Sequence, residues 1–275
     1  MGLKVEPNTT KTREPATLIV KQNTSSKHKS SKREKGNAEY RTLHNASGGT
    51  KEAQIGGVLT KTHTYIMKQA LAILKNDKGF SCLNEDKYTT ILLVYTDWPD
   101  RLGCETDHVT WAGHFYHPKT GVNYKGQSAP TALSRAVSHF DNAVKQFKAG
   151  HQIEAIELLG KGTHYVGDLN EPHHASNVTA VSVGGRHYEF EKYADLHCRE
   201  YYFENDTIDQ RYYEEAKKIP ISQSLKKAAI IGHSYLDKAQ NRNTYHEAAE
   251  ATIKNSIVSV VQYLYKFGVI IGIYD

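Results

Sequence analysis

Residues 164–191 read HYVGDLNEPHHASNVTAVSVGGRHYEFE and contain one residue spacing twice. His164 and Asp168 are four residues apart, and so are His187 and Glu191. Residues at this spacing lie on one face of an α-helix, so each pair presents a nitrogen and an oxygen donor side by side. The stretch therefore predicts two helical pairs of the metal-ligand type.

The donor types indicate zinc. His174 lies between the two pairs and adds a fifth donor of a kind that binds this metal. The three cysteines of the chain take no part, and their spacing predicts neither a zinc knuckle nor a disulfide framework. Histidine and carboxylate donors in this number suggest more than one ion, in a catalytic arrangement with positions open for water and substrate.

Three short motifs within residues 164–177, H-Y-x-G-D, P-x-H and A-x-N, resemble the signature of the bacterial zinc-dependent phospholipases C. The resemblance is to the Bacillus phosphatidylcholine-preferring and clostridial alpha-toxin kind, and it extends over residues 50–270. It implies a metal-activated water that hydrolyses phosphatidylcholine and related phospholipids to diacylglycerol and the phosphorylated head group. It also implies two to three zinc ions per chain.

The resemblance further implies three metal positions, carried over residue by residue. The first zinc is expected on Asp97, His114, His164 and Asp168. The second is expected on His174, His187 and Glu191. The third is expected on His63, on Asp168 as a bridging ligand, and on the amino terminus of a mature chain.

Two carboxylates compete for the aspartate position of the first zinc. The segment Thr96–Asp100 precedes Gly113–Pro118, and the pair resembles the family's Asp-aromatic segment followed by H-F-Y-x-P. Asp97 fits because an aromatic residue follows it, whereas Asp100 fits the spacing found in the Bacillus enzymes. We favour Asp97 as ligand and as the catalytic residue, since the family assigns this carboxylate to ligation with or without general-base help.

Trp98 and Trp111 are the two tryptophans of the chain, and each lies beside a proposed ligand. In the resembling enzymes, aromatic residues at these places line a choline pocket, in which ring faces attract a quaternary ammonium. The resemblance thus implies that both indoles bind substrate, and packing in the core is the alternative. Glu52 is a weak match to the acidic residue of the same pocket.

The N-terminal part differs in composition from the rest. Residues 1–49 are polar, with a basic cluster at Lys27–Lys35, and contain too little apolar surface to offset the entropy of ordering. We predict a disordered tail, with a removable pro-segment as the alternative, and a catalytic domain over residues 50–275. The net charge of +5 lies in good part in this tail and says little about the domain.

The tail lacks the apolar centre of a signal peptide. The resemblance implies secretion, and a cytoplasmic location is the alternative.

His63 stands where the family has its third-site histidine. The family's mature chain begins with a tryptophan shortly before this residue, whereas residues 49–53 contain none. A solvated histidine at the start of a helix is therefore the alternative to a ligand.

Beyond residue 50, apolar residues recur at helical spacing and no alternating pattern predicts strands. Helices are predicted after His63, around Ile91–Val94, from Ala132 to a stop at Gly150, from Ile153 into the signature, and over residues 187–199, 208–218, 222–240 and 245–266. Long loops are expected near residues 97–130 and 175–186. No apolar run reaches the length of a membrane span. We predict an all-α, compact multi-helix bundle, the fold that the resemblance also implies and that P1-type nucleases share.

Two other functions remain open. Single-strand nucleases of the P1/S1 type have a similar fold and zinc site. They differ from this chain in having Asp at the position of Glu191. They also have Asn or Asp after a pair of glycines, whereas Arg186 follows the glycine pair of this chain. The other alternative is an inactive scaffold that zinc stabilises and whose basic tail binds a partner. Such a protein would have to lose its activity while keeping its metal ligands. We therefore expect a monomer that acts on phospholipid, as a peripheral protein at a membrane surface, and not on nucleic acid.

Overall fold

The computed structural model describes residues 62–101 and 110–275. This part of the chain forms nine α-helices and no β-strand, which confirms the prediction of an all-α bundle. The helices are α1 (Thr62–Lys78), α2 (Asp86–Tyr95), α3 (Ala132–Lys148), α4 (Gln152–Asn170), α5 (His187–His197), α6 (Gln210–Lys218), α7 (Ile221–Ser234), α8 (Leu236–Ala239) and α9 (Tyr245–Ile271). The predicted tail over residues 1–49 and Glu52 lie outside the described residues.

Helices α4 and α9 form the centre of the bundle. Every residue of α4 from Gly162 to Asn170 is buried, so this half of the helix is enclosed on all sides. Helix α9 is 27 residues long, has an unbroken run of buried residues from Ser256 to Tyr265, and packs against α1, α4, α6 and α7. A helix that is buried all round belongs to the core. The motif on α4 therefore lies in the middle of the protein.

A glycine allows α9 to approach α4 closely. The phenolic oxygen of Tyr263 lies where a side chain at Gly162 would begin. The same hydroxyl donates a 2.7 Å hydrogen bond to the carbonyl of Ala136 on α3. A larger residue at position 162 would separate the two central helices and break this link to a third.

The predicted helix ends agree with the structure except in two places. Helix α3 ends before Gly150, which has φ +87° as expected of a glycine stop. Helix α9 continues past the predicted end to Ile271 and stops at Gly272, also at positive φ. The single helix predicted over residues 222–240 is wrong, because the chain breaks at Tyr235 (φ −96°, ψ 4°) into α7 and α8.

The two predicted loop regions each contain short 3-10 helices. Trp98–Asp100 and Ala112–His114 lie in the first, and His174–Ser176 begins the second. Each of these turns places a predicted or alternative metal ligand against α4 or α5, namely Asp100, His114 and His174. No helix in the described part of the chain is both long and apolar enough to cross a membrane.

Candidate metal centre

The buried half of α4 carries the first predicted pair. Nε2 of His164 lies 3.3 Å from Oδ2 of Asp168, as their spacing requires, and both residues are buried. His114 ends a 3-10 helix and approaches the same point. Its Nδ1 is 3.2 Å from Nε2 of His164 and 2.9 Å from Oδ2 of Asp168. Three donors from two parts of the chain, α4 and the turn Ala112–His114, thus meet in one place.

The aspartate that joins these donors is Asp100. Its Oδ1 lies 3.4 Å from Nε2 of His164 and 3.8 Å from Nδ1 of His114. Asp97 belongs to none of the groups of metal-ligand donors found among the described residues. One of its oxygens lies instead 3.6 Å from the guanidinium of Arg101. The structure thus brings Asp100 to these donors, and Asp97 as ligand stays a prediction.

The local backbone explains why the two aspartates differ. Asp97 is the N-cap of the 3-10 helix Trp98–Asp100, and Pro99 lies in its first turn. The two carboxylates consequently stand at opposite ends of one short turn, and the far end meets α4. An aromatic neighbour in the sequence does not indicate which end faces the metal site.

His63 reaches the same donors from α1. Its ring stacks on that of His164 with centroids 4.2 Å apart, and its Nε2 lies 3.6 Å from Oδ1 of Asp168. Gly167 makes this possible, since a Cβ there would lie 2.5 Å from Nδ1 of His63. The glycine of the H-Y-x-G-D motif therefore leaves room for a candidate ligand. We call these residues the first cluster: His63, Asp100, His114, His164 and Asp168.

A second group of donors forms where α5 begins. Nε2 of His187 lies 2.9 Å from Oε1 of Glu191, and Nε2 of His174 lies 3.2 Å from the same oxygen. Glu171 completes the group, with Oε2 3.9 Å from Nε2 of His187. Sequence reasoning missed this residue, for which the one signal was an acidic side chain three positions before His174. We call Glu171, His174, His187 and Glu191 the second cluster.

Backbone carbonyls fix the orientation of two imidazoles. Nδ1 of His164 donates a 3.0 Å hydrogen bond to the carbonyl of Thr96. Nδ1 of His174 donates a 2.9 Å hydrogen bond to the carbonyl of His114. A carbonyl can only accept, so the proton of each neutral ring is on Nδ1 and the lone pair on Nε2 faces its cluster. Metal-binding histidines are commonly held by such a partner.

The geometry of both clusters fits zinc. A tetrahedral ion with ligand bonds of about 2.0–2.1 Å separates its ligand atoms by roughly 3.4 Å. The separations given above run from 2.9 to 3.8 Å in the first cluster and from 2.9 to 3.9 Å in the second. Among the described residues, the buried Oδ1 of Asp168 and Oε2 of Glu191 accept no hydrogen bond. Such oxygens are suited to a cation.

The pKa values of the cluster residues also indicate a site for cations. Burial acts against ionisation of Asp168, but the imidazoles of His164 and His174 hold its pKa well below the usual range. Burial is likewise outweighed at Glu191, where His187 and His174 lower the pKa to about 2. Against the effect of burial, the carboxylates raise the pKa of His164 to about 9 and that of His174 to about 10. Both clusters therefore demand positive charge, which protons or metal ions can supply.

The two tryptophans occupy different surroundings. Trp111 is buried, and its ring centre is 5.2 Å from that of His114. Trp98 is half-buried, and its ring faces two cations of the chain itself, Arg101 at 5.2 Å and Lys161 at 5.8 Å. Trp111 thus adjoins a ligand of the first cluster, whereas Trp98 already binds positive charge. A choline cage formed by both rings stays a prediction.

Comparisons with known proteins identify the family of the chain. The sequence profile described as zinc dependent phospholipase C matches residues 62–257. A phospholipase C of Paraclostridium bifermentans is 31% identical over 238 residues, which are 76% of this chain and 58% of that protein. A phospholipase C of Listeria monocytogenes is 28% identical over 193 residues, which are 63% of this chain and 66% of that protein. The chain thus spans little more than half the length of its clostridial relatives.

A solved structure gives the same result for the fold. The alpha toxin from Clostridium absonum superposes with a TM-score of 0.63 at 28% sequence identity, over 75% of this chain and 62% of that one. The matched profile begins beside His63 and ends within α9. It therefore includes every residue of the two clusters.

Proposed function

The chain belongs to the zinc-dependent phospholipase C family, and from that premise we propose that it hydrolyses the phosphodiester bond of phosphatidylcholine and related phospholipids. The products are diacylglycerol and the phosphorylated head group. The observation that carries the proposal is the convergence of two donor clusters, with zinc-like spacing, on the buried half of α4. A phosphoric diester is the substrate class that clustered zinc ions suit, since both developing alkoxide and phosphoryl oxygens carry negative charge.

The proposed ligands are those of the two clusters, with Asp100 in the place first given to Asp97. Zinc bound there supplies positive charge to the phosphoryl oxygens and lowers the pKa of the attacking water. Asp100 has its Oδ1 within 3.8 Å of two imidazole donors, and we assign it the uptake of the proton from that water. The carbonyls of Thr96 and His114 hold the protons of the His164 and His174 rings on Nδ1, so that Nε2 of each ring is free to bind the metal.

A third zinc is part of the proposal but depends on residues outside the described ranges. His63 and the Oδ1 of Asp168 offer two donors 3.6 Å apart. An amine from the beginning of a processed chain would complete this position, because an α-amine can lose its proton to a metal near neutral pH. Removal of the tail before residue 50 is then expected to raise the zinc content from about two to about three ions per chain.

The loop before α5 is the proposed contact with a phospholipid surface. Val181 and Val183 are 71% and 105% exposed, and the second lies four residues before His187. Ile230 on α7 is also exposed at 57%, and α7 contacts the turn His174–Ser176 beside this loop. Exposed apolar side chains beside a lipase site favour peripheral binding to lipid. We propose that the chain acts there as a secreted monomer.

One experiment separates this function from the alternatives. The purified, zinc-loaded protein is assayed in parallel on short-chain phosphatidylcholine and on single-stranded DNA. We expect release of phosphocholine and no nucleotide product. Cleavage of the DNA alone would indicate a P1/S1-like nuclease, and inactivity on both substrates with zinc bound would indicate a zinc-stabilised scaffold.

A further inference from the structure

Glu171 occupies a position that the family resemblance did not assign. It follows α4 directly and lies against the second cluster with its side chain 16% exposed. Oε1 lies 2.8 Å from Nδ1 of His173, and Oε2 accepts a 2.6 Å hydrogen bond from the backbone N–H of His174. Both oxygens are therefore held in fixed positions.

The same carboxylate faces the other donors of the second cluster. Oε2 lies 3.9 Å from Nε2 of His187, and one donor atom each of Glu171, His174, His187 and Glu191 lies within 4.8 Å of the others. We infer that Glu171 is a fourth protein ligand of the zinc ion in the second cluster. This inference rests on the proposed zinc-dependent function, because it names a ligand of the same metal centre.

The carboxylate has enough acceptor capacity for this role. Two carboxylate oxygens provide about four lone-pair sites, and His173 and the N–H of His174 occupy two of them. Two ionised carboxylates also balance the charge of a divalent cation, whereas Glu191 alone leaves it half compensated. A cation bound between the two carboxylates would offset their mutual repulsion.

His173 acts as the support of Glu171 and not as a ligand. It is fully buried and stacks on His187 with ring centroids 4.9 Å apart and planes 4° from parallel. Its Nδ1 is directed to Glu171, so the ring holds the carboxylate against the cluster. Outer partners of this kind fix the orientation of a metal ligand.

A fourth protein ligand should hold the ion of the second cluster more firmly than three ligands would. During stepwise treatment with a chelator, wild type is therefore expected to keep this ion at chelator concentrations that remove it from Glu171→Gln.

The test compares Glu171→Gln with Glu189→Gln in the zinc-loaded full-length chain. Glu189 lies on α5 but pairs with Arg186 and Arg242 outside the cluster, which makes it a matched control. Zinc per chain is measured by elemental mass spectrometry after equilibration with graded chelator. We expect one ion of Glu171→Gln to leave at least about 100-fold more readily, since even outer partners of zinc ligands cost about 10–100-fold in affinity. Equal retention in wild type and Glu171→Gln would overturn the inference.

A second variant separates ligation from support. His173→Gln removes the support but leaves the carboxylate, so its loss of affinity should be clearly smaller than that of Glu171→Gln. Cobalt substitution adds a spectroscopic readout, because the visible bands of Co²⁺ depend on its coordination. We expect Glu171→Gln to change them and Glu189→Gln to leave them as in wild type. Equal losses in Glu171→Gln and His173→Gln, with unchanged cobalt bands, would show that Glu171 only supports the site.

These measurements are independent of lipid hydrolysis. Tight binding of the second-cluster ion with no activity on phosphatidylcholine would contradict the proposed function and leave the inference intact. Circular dichroism of the metal-loaded variants checks that each one is folded. If Glu171→Gln does not fold, Glu171→Asp replaces it, because a carboxylate one methylene shorter keeps the charge but moves the donor atom, and it should change the cobalt bands only if Glu171 is a ligand.

Discussion

The two clusters share one metal chemistry but are built by different means. The first takes its donors from α1, α4 and two separate 3-10 helices, so it exists only when distant parts of the chain have packed. The second takes all its donors from residues 171–191, in the connection after α4 and the first turn of α5. The first is thus a product of the tertiary fold, and the second of local sequence. Substitutions in the two clusters should consequently differ in how far they lower turnover and zinc content.

The largest effect is expected from the residue that adjoins both clusters. Asp168 contacts three imidazoles of the first cluster, and its Oδ1 lies 3.5 Å from Nδ1 of His174 in the second. Asp168→Asn should lower the turnover of phosphatidylcholine at least about 1000-fold, because several kcal/mol of transition-state stabilisation depend on the zinc it holds. Zinc content should fall as well. Asp141→Asn, an exposed position on α3, is the control. Retained zinc and turnover would contradict the assignment of the first cluster.

Disruption of the second cluster should be less damaging. Glu191→Gln or His174→Ala is expected to remove one ion and lower turnover about 100-fold, since the charge of that ion is lost while the first cluster remains. Folding should suffer less than activity, because the donors come from one local segment. Turnover and zinc content are measured together, with Glu189→Gln as control. Wild-type turnover at reduced zinc content would remove the second ion from the mechanism.

The two aspartates at the ends of the turn after α2 provide a sharper internal contrast. Asp100→Asn should lower turnover about 100-fold or more, the usual contribution of a general base. Asp97→Asn should lower turnover less, since one oxygen of its carboxylate lies 3.6 Å from the guanidinium of Arg101. Kinetics at matched zinc content compare the variants. If Asp97→Asn were the more damaging of the two, Asp97 would regain its place as ligand and base.

The smallest effect concerns the surface beside the second cluster. Replacing Val181 and Val183 by Ser should weaken binding to phosphatidylcholine vesicles several-fold. A valine side chain that is only partly inserted into the lipid contributes about 1.5 kcal/mol at most to the binding free energy. Turnover of a dissolved short-chain substrate should not change. Phe80→Ser is the control, since Phe80 is 66% exposed and lies beyond the end of α1 opposite to His63. Equal vesicle binding by wild type and the double variant would exclude this loop as the lipid contact.

Much of this arrangement could be predicted from residues 164–191, because helical spacing determines which side chains share a face. The pairs on α4 and α5 formed as expected, and the fold followed from the periodicity of apolar residues. The sequence left the choice between Asp97 and Asp100 open, since the two carboxylates stand at opposite ends of one short 3-10 turn. The break at Tyr235 was not predicted either, because the nearby glycine, Gly232, lies inside α7 and not at the break. Glu171 was missed because its role depends on how the chain turns after α4.

The central claim is that the two clusters bind zinc. Diffraction data from crystals of the zinc-loaded protein, collected on both sides of the zinc absorption edge, test it most directly. We predict one anomalous peak among Asp100, His114, His164 and Asp168, and another among Glu171, His174, His187 and Glu191. Zinc peaks elsewhere in the protein, or none at either cluster after loading, would contradict the account.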